Sequence, residues 1–149
     1  MKKKYFFGVI LIIFALSACW TEAPHISLDE LPSSDPLQTL PKLEGYINMS
    51  ISEIRPNSVT VAIQNYSDIE VGTGLAFSLE VYNNMQWLNI PFQYGYGAVP
   101  DIGFIVKPED WLSLVKDLSV FYSVGEGLHR IRKEVSNHEV VAEFFIENR

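Results

Sequence analysis

Beyond Gly45 the apolar residues recur at every second position rather than every third or fourth, the alternation of a half-buried strand. Ile47, Met49 and Ile51 share one face of a first strand, while Asn48, Ser50 and Ser52 share the other. Arg55-Pro56-Asn57-Ser58 reads as a turn, with Pro56 supplying a fixed φ. Val59, Val61 and Ile63 then alternate with Thr60, Ala62 and Gln64, and Asn65-Tyr66-Ser67-Asp68 ends that strand. A third strand is expected near Leu75–Tyr82, with Leu75, Phe77, Leu79 and Val81 on one side. Asn83-Asn84 turns the chain into Met85–Ile90.

The second half continues the pattern. Gly103 to Lys107 is a short apolar strand stopped by Pro108. Trp111 to Leu118 sets Leu112, Leu114 and Lys116 opposite Trp111, Ser113 and Val115, so both faces read as partly covered, and a helix over 109–118 is the alternative. Gly125-Glu126-Gly127 leads into Leu128–Val135, and Asn137-His138 turns into Val140–Glu147. Seven or eight short strands with regularly spaced turns and no long helix predict an all-β antiparallel sandwich or barrel over residues 45–149. Val61, Ile63, Phe77, Leu79, Ile131 and Phe144 are its expected inner residues.

The chain before Gly45 follows other rules. Lys2, Lys3 and Lys4 precede an apolar run from Tyr5 to Leu16, and Leu16-Ser17-Ala18 leads to Cys19. A charged start, a short apolar stretch and small residues before a cut are the marks of an export signal, and the run is shorter than the roughly 20 residues of a membrane span. Leu16-Ser17-Ala18-Cys19 resembles the lipobox of bacterial lipoproteins. That resemblance implies cleavage after residue 18, a diacylglyceryl (and often further acyl) modification of Cys19, and a lipid anchor on the extracytoplasmic face of the cell membrane. Residues 19–44 hold Pro24, Pro32, Pro36 and Pro41 among polar residues with no sustained period. They read as a flexible, partly extended tether reaching about 25–30 Å on average, with a short helical turn near Leu28–Leu31 as the alternative.

Charge narrows the partners. The whole chain carries −7, and cleavage removes three of the eleven Lys and Arg and none of the eighteen Asp and Glu. Such an acidic domain disfavours nucleic acid and adsorption to anionic lipid. The only cysteine is the one at the cut, so disulfides, thiolate metal sites and thiol nucleophiles drop out and the core alone must hold the domain.

Candidate chemistry is sparse. His25, His129 and His138 have no metal-ligand spacing, no nucleophile motif surrounds any serine, and Glu109-Asp110 follow a proline in an expected loop. No catalytic residue, metal ligand or cofactor is expected. Two segments suit contact with a ligand or partner. Trp87 to Pro100 concentrates aromatics, with Tyr94 and Tyr96 beside Gly95 and Gly97 as contact residues and Trp87 and Phe92 as anchors; the alternative is that Trp87 and Phe92 are core and the tyrosines cap the sandwich edge. Arg130, Arg132 and Lys133 form the one basic cluster, where Arg130 and Arg132 share a strand face; the alternatives are a solvated face paired with acids and an anion or partner contact.

Several segments together resemble a bacterial immunoglobulin-like domain of Gram-positive lipoproteins and secreted proteins. They are Gly74-Leu75-Ala76-Phe77-Ser78-Leu79-Glu80, Trp87, Lys107-Pro108-Glu109, Asp117-Leu118-Ser119, Gly127 to Glu134 and Glu143-Phe144-Phe145-Ile146. The resemblance implies an Ig-like β-sandwich and no catalytic residues, with His129 standing where that family usually has a tyrosine. The function expected is a non-enzymatic binding or accessory module of the cell envelope, meeting another envelope protein or a surface ligand. The alternatives are a regulatory or inhibitory lipoprotein acting on an envelope enzyme or membrane sensor, and a cell-envelope hydrolase, for which the acids and histidines are not clustered.

Overall fold

A computed structural model describes residues 24–93, 95, 100, 102–123 and 125–147. The signal segment, Cys19, Tyr94 and Tyr96 lie outside the described residues. Nine strands are present among those described: β1 Ile47–Arg55, β2 Ser58–Asn65, β3 Val71–Gly74, β4 Ser78–Asn83, β5 Gln86–Ile90, β6 Gly103–Val106, β7 Trp111–Asp117, β8 Gly127–Val135 and β9 His138–Ile146. All pair antiparallel, in two sheets. One sheet runs β1-β2-β7; the other runs β5-β4-β8-β3-β6, with β9 along the second edge of β8.

Alternation sets the register because one face of each sheet must avoid water. Ile47, Met49, Val59, Val61, Ile63 and Leu114 face inward from the first sheet. Leu79, Val81, Leu88, Ile90, Ile131, Val135, Ala142 and Phe144 meet them from the second. Of the expected inner residues, Phe77 alone is half-buried: it precedes β4 in a loop and packs edge-on to the buried Phe121, with ring centroids 5.3 Å apart. The helix considered for 109–118 is a strand, β7, whose outer face is open: Trp111 and Val115 are exposed while Leu114 and Lys116 are buried.

Two expectations are corrected. The strand expected from Leu75 begins only at Ser78, because residues 75–77 form the loop that follows β3. The flexible tether over 19–44 does not hold for its described part. From Pro24 onward the chain lies on the sandwich, and Leu31 and Leu43 are buried in the core. His25 bridges to Ser123, and the Ser123 N–H donates to the Pro24 carbonyl at 3.0 Å. After the short 3-10 turn at Leu28–Glu30, Ser33 bridges to Leu88 on the free edge of β5. The chain then crosses the outer face of the second sheet to β9, where the Glu139 N–H donates to the Gln38 carbonyl at 2.7 Å and the Leu40 N–H to His138 Nδ1 at 2.8 Å. Backbone groups with no sheet partner of their own are thereby satisfied by two sheet edges.

Candidate functional site

Binding and chemistry require polar groups not already satisfied within the fold. Arg130 and Arg132 stand on the outer face of β8, but neither is a free contact residue. Arg130 is 8 % and Arg132 9 % exposed, with Glu80 of β4, 1 % exposed, between them. Arg130 pairs with Glu80, and its guanidinium lies 4.1 Å from the centre of the Trp87 ring. Arg132 Nε donates to Glu139 Oε1 at 3.0 Å; one terminal nitrogen donates to Asp35 O at 2.6 Å and Glu80 Oε1 at 3.4 Å. The other donates to Pro36 O at 2.9 Å and Glu139 Oε2 at 2.6 Å. Five donors meet five acceptors, so the fork is saturated. Its task is to pin the crossing segment to the sheet: the pairing with acids expected from sequence is present, but the face is buried under that segment rather than solvated or open to a partner. Burial pushes the Glu139 carboxyl up, yet Arg132 and the Gln38 N–H outweigh it and hold it below the usual carboxylate range. Its contribution is therefore present at neutral pH and lost on acidification.

Two lysines are buried without a carboxylate. Lys116 from β7 and Lys133 from β8 converge from the two sheets on the β3–β4 loop. Lys116 Nζ donates to Leu75 O at 2.8 Å and sits 5.0 Å over the Phe77 ring; Lys133 Nζ donates to Gly74 O and, at 2.8 Å, to Ala76 O. Neither makes an ion pair among the described residues. Burial lowers each from 10.5 to about 8, with the Lys133 charge adding to the effect on Lys116. The unfolded chain then binds more protons than the folded one between those values, so stability should rise with pH from about 8 to about 10.5. Urea midpoints at pH 8 and pH 10 test this. The increase should vanish in a Lys116→Met/Lys133→Met variant, and an equal increase in that variant would disprove the assignment.

His129, at the position where the resemblance implied a tyrosine, is buried on the inner face against Phe144. Its Nδ1 lies 2.9 Å from Gly127 O, and a carbonyl only accepts, so Nδ1 carries the proton. Burial keeps this imidazole below its usual pKa despite that hydrogen bond, and it makes the backbone contact itself. His25 and His138 serve chain docking, and Glu109-Asp110 form the exposed turn before β7. No group of His, Cys, Asp and Glu suited to a metal ion occurs among the described residues.

One corner keeps exposed rings on fixed backbone. Lys42, Tyr46, Tyr66, Ile69, Pro108 and Glu109 help line an open cavity of about 600 Å³ where β1 begins and β2 ends. Fully buried Asn65 holds this corner: its Nδ2 donates to Ile69 O at 2.8 Å and Val106 O at 3.0 Å, and its Oδ1 accepts from the Ser67 N–H and hydroxyl. Its own N–H donates to Asp110 O at 3.0 Å, tying the loop to the turn before Trp111. This site went unread in the sequence, because its lining comes from the start of β1, the end of β2 with the loop after it, and the turn before β7.

The architecture agrees with the match of residues 43–145 to a family described as a bacterial Ig-like domain. The chain belongs to the bacterial Ig-like domain family. The Ig-like unit thus includes the docked Leu43 as well as all nine strands. No curated protein matches at a significant level. Among solved structures, the archaellum periplasmic stator protein FlaG from Sulfolobus acidocaldarius is 14 % identical, with a TM-score of 0.42 over 66 % of this chain and 99 % of that one. The stator complex FlaF and FlaG from the same organism gives 13 % identity and a TM-score of 0.42 over 74 % of this chain and 100 % of that one. At such scores these likenesses carry no argument about function.

Proposed function

We propose that this Ig-like protein is a lipid-anchored, extracytoplasmic binding or accessory module of the cell envelope, without catalytic activity. The lipobox-like Leu16-Ser17-Ala18-Cys19 ahead of an Ig-like domain carries the reading, and the polarity of the domain relative to its N-terminal segment gives its orientation. The first described residues, Pro24 and His25, pair with Ser123 in the β7–β8 connection, whereas the exposed aromatic corner lies where β2 ends and β7 starts, at the opposite end of those strands. From Cys19 to His25 an extended chain spans at most about 20 Å. An anchor at Cys19 therefore holds the Ser123 end near the bilayer and turns the aromatic corner outward. The buried arginines, lysines and histidines are bound to internal partners, which favours surface contact over chemistry.

Membrane fractionation with lipid labelling tests the anchor. Cys19→Ala should abolish label incorporation and leave the protein as uncleaved precursor or release it from the membrane fraction. Normal processing with unchanged membrane partition would end this reading.

A further inference from the structure

Tyr46, Tyr66 and Trp111 stand at one end of the outer face of the β1-β2-β7 sheet. The Tyr66 N–H donates to Tyr46 O at 2.7 Å, which carries the β1–β2 register one pair beyond Ile47–Asn65. Both tyrosines thus share the outer face with Asn48 and Gln64. Trp111 pairs with Gln64, so it is the diagonal neighbour of Tyr66 on that face. Tyr46 is 52 %, Tyr66 44 % and Trp111 64 % exposed, far more than large aromatics usually are.

Below the rings the same face carries Asn48, Ser50, Thr60, Ala62, Ser113 and Val115. No formal charge appears until the Glu53–Arg55 pair and Asp117 at its far end. In a chain of net charge −7, the result is a flat, neutral platform of small polar side chains with an aromatic rim.

We propose that this face binds a neutral polysaccharide chain, with Tyr46, Tyr66 and Trp111 stacking on successive sugar rings. Adjacent strands lie about 4.8 Å apart and Trp111 sits two residues further along its strand, so the three rings span about 12 Å, which accommodates consecutive residues of an extended glycan. Pyranose faces are apolar and their rims are hydroxyls. Aromatic faces suit the former, and Ser, Thr, Asn and Gln supply donors and acceptors for the latter. Asp68 and Glu109 at the adjoining corner accept hydrogen bonds from sugar hydroxyls and, outnumbering Lys42 beside them, repel polyanions. Asn65 fixes the loop and turn that present the rings, which lowers the ordering cost of binding. A second copy fits less well. Three strands by seven residues make a face of roughly 14 by 23 Å, or about 300 Å², against about 800 Å² per partner in a stable protein interface. The inference rests on the outward orientation argued under Proposed function.

Calorimetric titration of the mature protein in detergent with cellohexaose and hexa-N-acetylchitohexaose tests it, with polygalacturonate as anionic control. The wild type should bind at least one neutral hexasaccharide and not the polyanion. Trp111→Ala should weaken binding roughly tenfold with its melting temperature unchanged, while Trp111→Phe retains most of the affinity. Absence of binding to both neutral sugars, or equal binding by Trp111→Ala, would overturn the proposal. So would Trp111-dependent self-association without sugar, which would give the face to a second copy. Fractionation of the Cys19→Ala variant reports on anchoring alone, so failure here and failure there remain distinguishable.

Discussion

Replacing Arg132 by alanine is expected to cost about 3–5 kcal/mol and to lift residues 35–40 from the second sheet. The change removes all five donors of the saturated fork at once. Glu80, nearly inaccessible to water, keeps only Arg130, and Glu139 loses the guanidinium that offsets its burial. The Asp35 and Pro36 carbonyls and the half-buried Glu139 carboxylate, left without their guanidinium donors, set the magnitude rather than the lost attraction itself. For a domain of this size the melting temperature should fall by roughly 10–20 °C. Limited proteolysis should open a new cleavage region near Leu37 and Leu40. Arg132→Lys should be intermediate, because an ammonium retains the charge but cannot reach five acceptors in a plane. A melting temperature within a few degrees of wild type, with residues 35–40 still protected, would show that the crossing segment is held by something else.

The strands were legible where one sheet face is wet and the other dry. In β2 every inward position is Val, Ile or Asn and every outward one Ser, Thr, Ala or Gln, so the register prints itself on the sequence. β3 was not legible: Val71–Gly74 is four residues long and two are glycine, which leaves only Val71 and Thr73 to mark a face. The start of β4 was misplaced for a related reason. Leu75 and Phe77 continue the alternation of Leu79 and Val81, but Lys116 and Lys133 claim the loop carbonyls that a longer strand would have offered to its neighbours.

The segment before Gly45 and the aromatic corner were hidden for a different reason. Residues 24–44 lack periodicity because they bind through backbone groups to two sheet edges and one guanidinium, and such contacts leave no repeating side-chain pattern. The arginines alternate as surface residues do; their burial follows from Glu80, fifty positions away, and Pro36, ninety-six away. Tyr46 and Tyr66 meet through the β1–β2 pairing, and Trp111 joins them only because β7 leaves the chain's second half to pair with β2. One signal was present: Trp111 and Val115 occupy the face opposite Leu112 and Leu114, so β7 is apolar on both sides although its outer side meets solvent.

Phe121→Ala should cost about 3–5 kcal/mol, more than the same change at half-buried Phe77. Phe121 lies outside the nine strands, in the β7–β8 connection, yet it is the largest side chain with almost no exposure. Its ring stacks on Phe92 at 4.4 Å and meets Phe77 edge-on at 5.3 Å, so truncation strips two aromatic contacts and leaves a void among residues fixed by the sheets. The backbone around it is held too: Phe121 bridges to Phe92, its carbonyl accepts from Gln93 Nε2 at 2.8 Å, and the Tyr122 N–H donates to Pro91 O at 3.2 Å. Little collapse into the void is therefore possible, which places the cost near the upper end. Phe121→Leu should recover a large part of it. Urea unfolding with an unchanged m-value measures the loss, and hydrogen exchange localises it. Because the same connection carries Ser123, the Ile26 amide bonded to Ser123 O should exchange faster in Phe121→Ala than in an equally destabilised Val61→Ala variant. Equal exchange at Ile26 in the two would mean that the N-terminal segment does not depend on this connection for its grip on the sandwich.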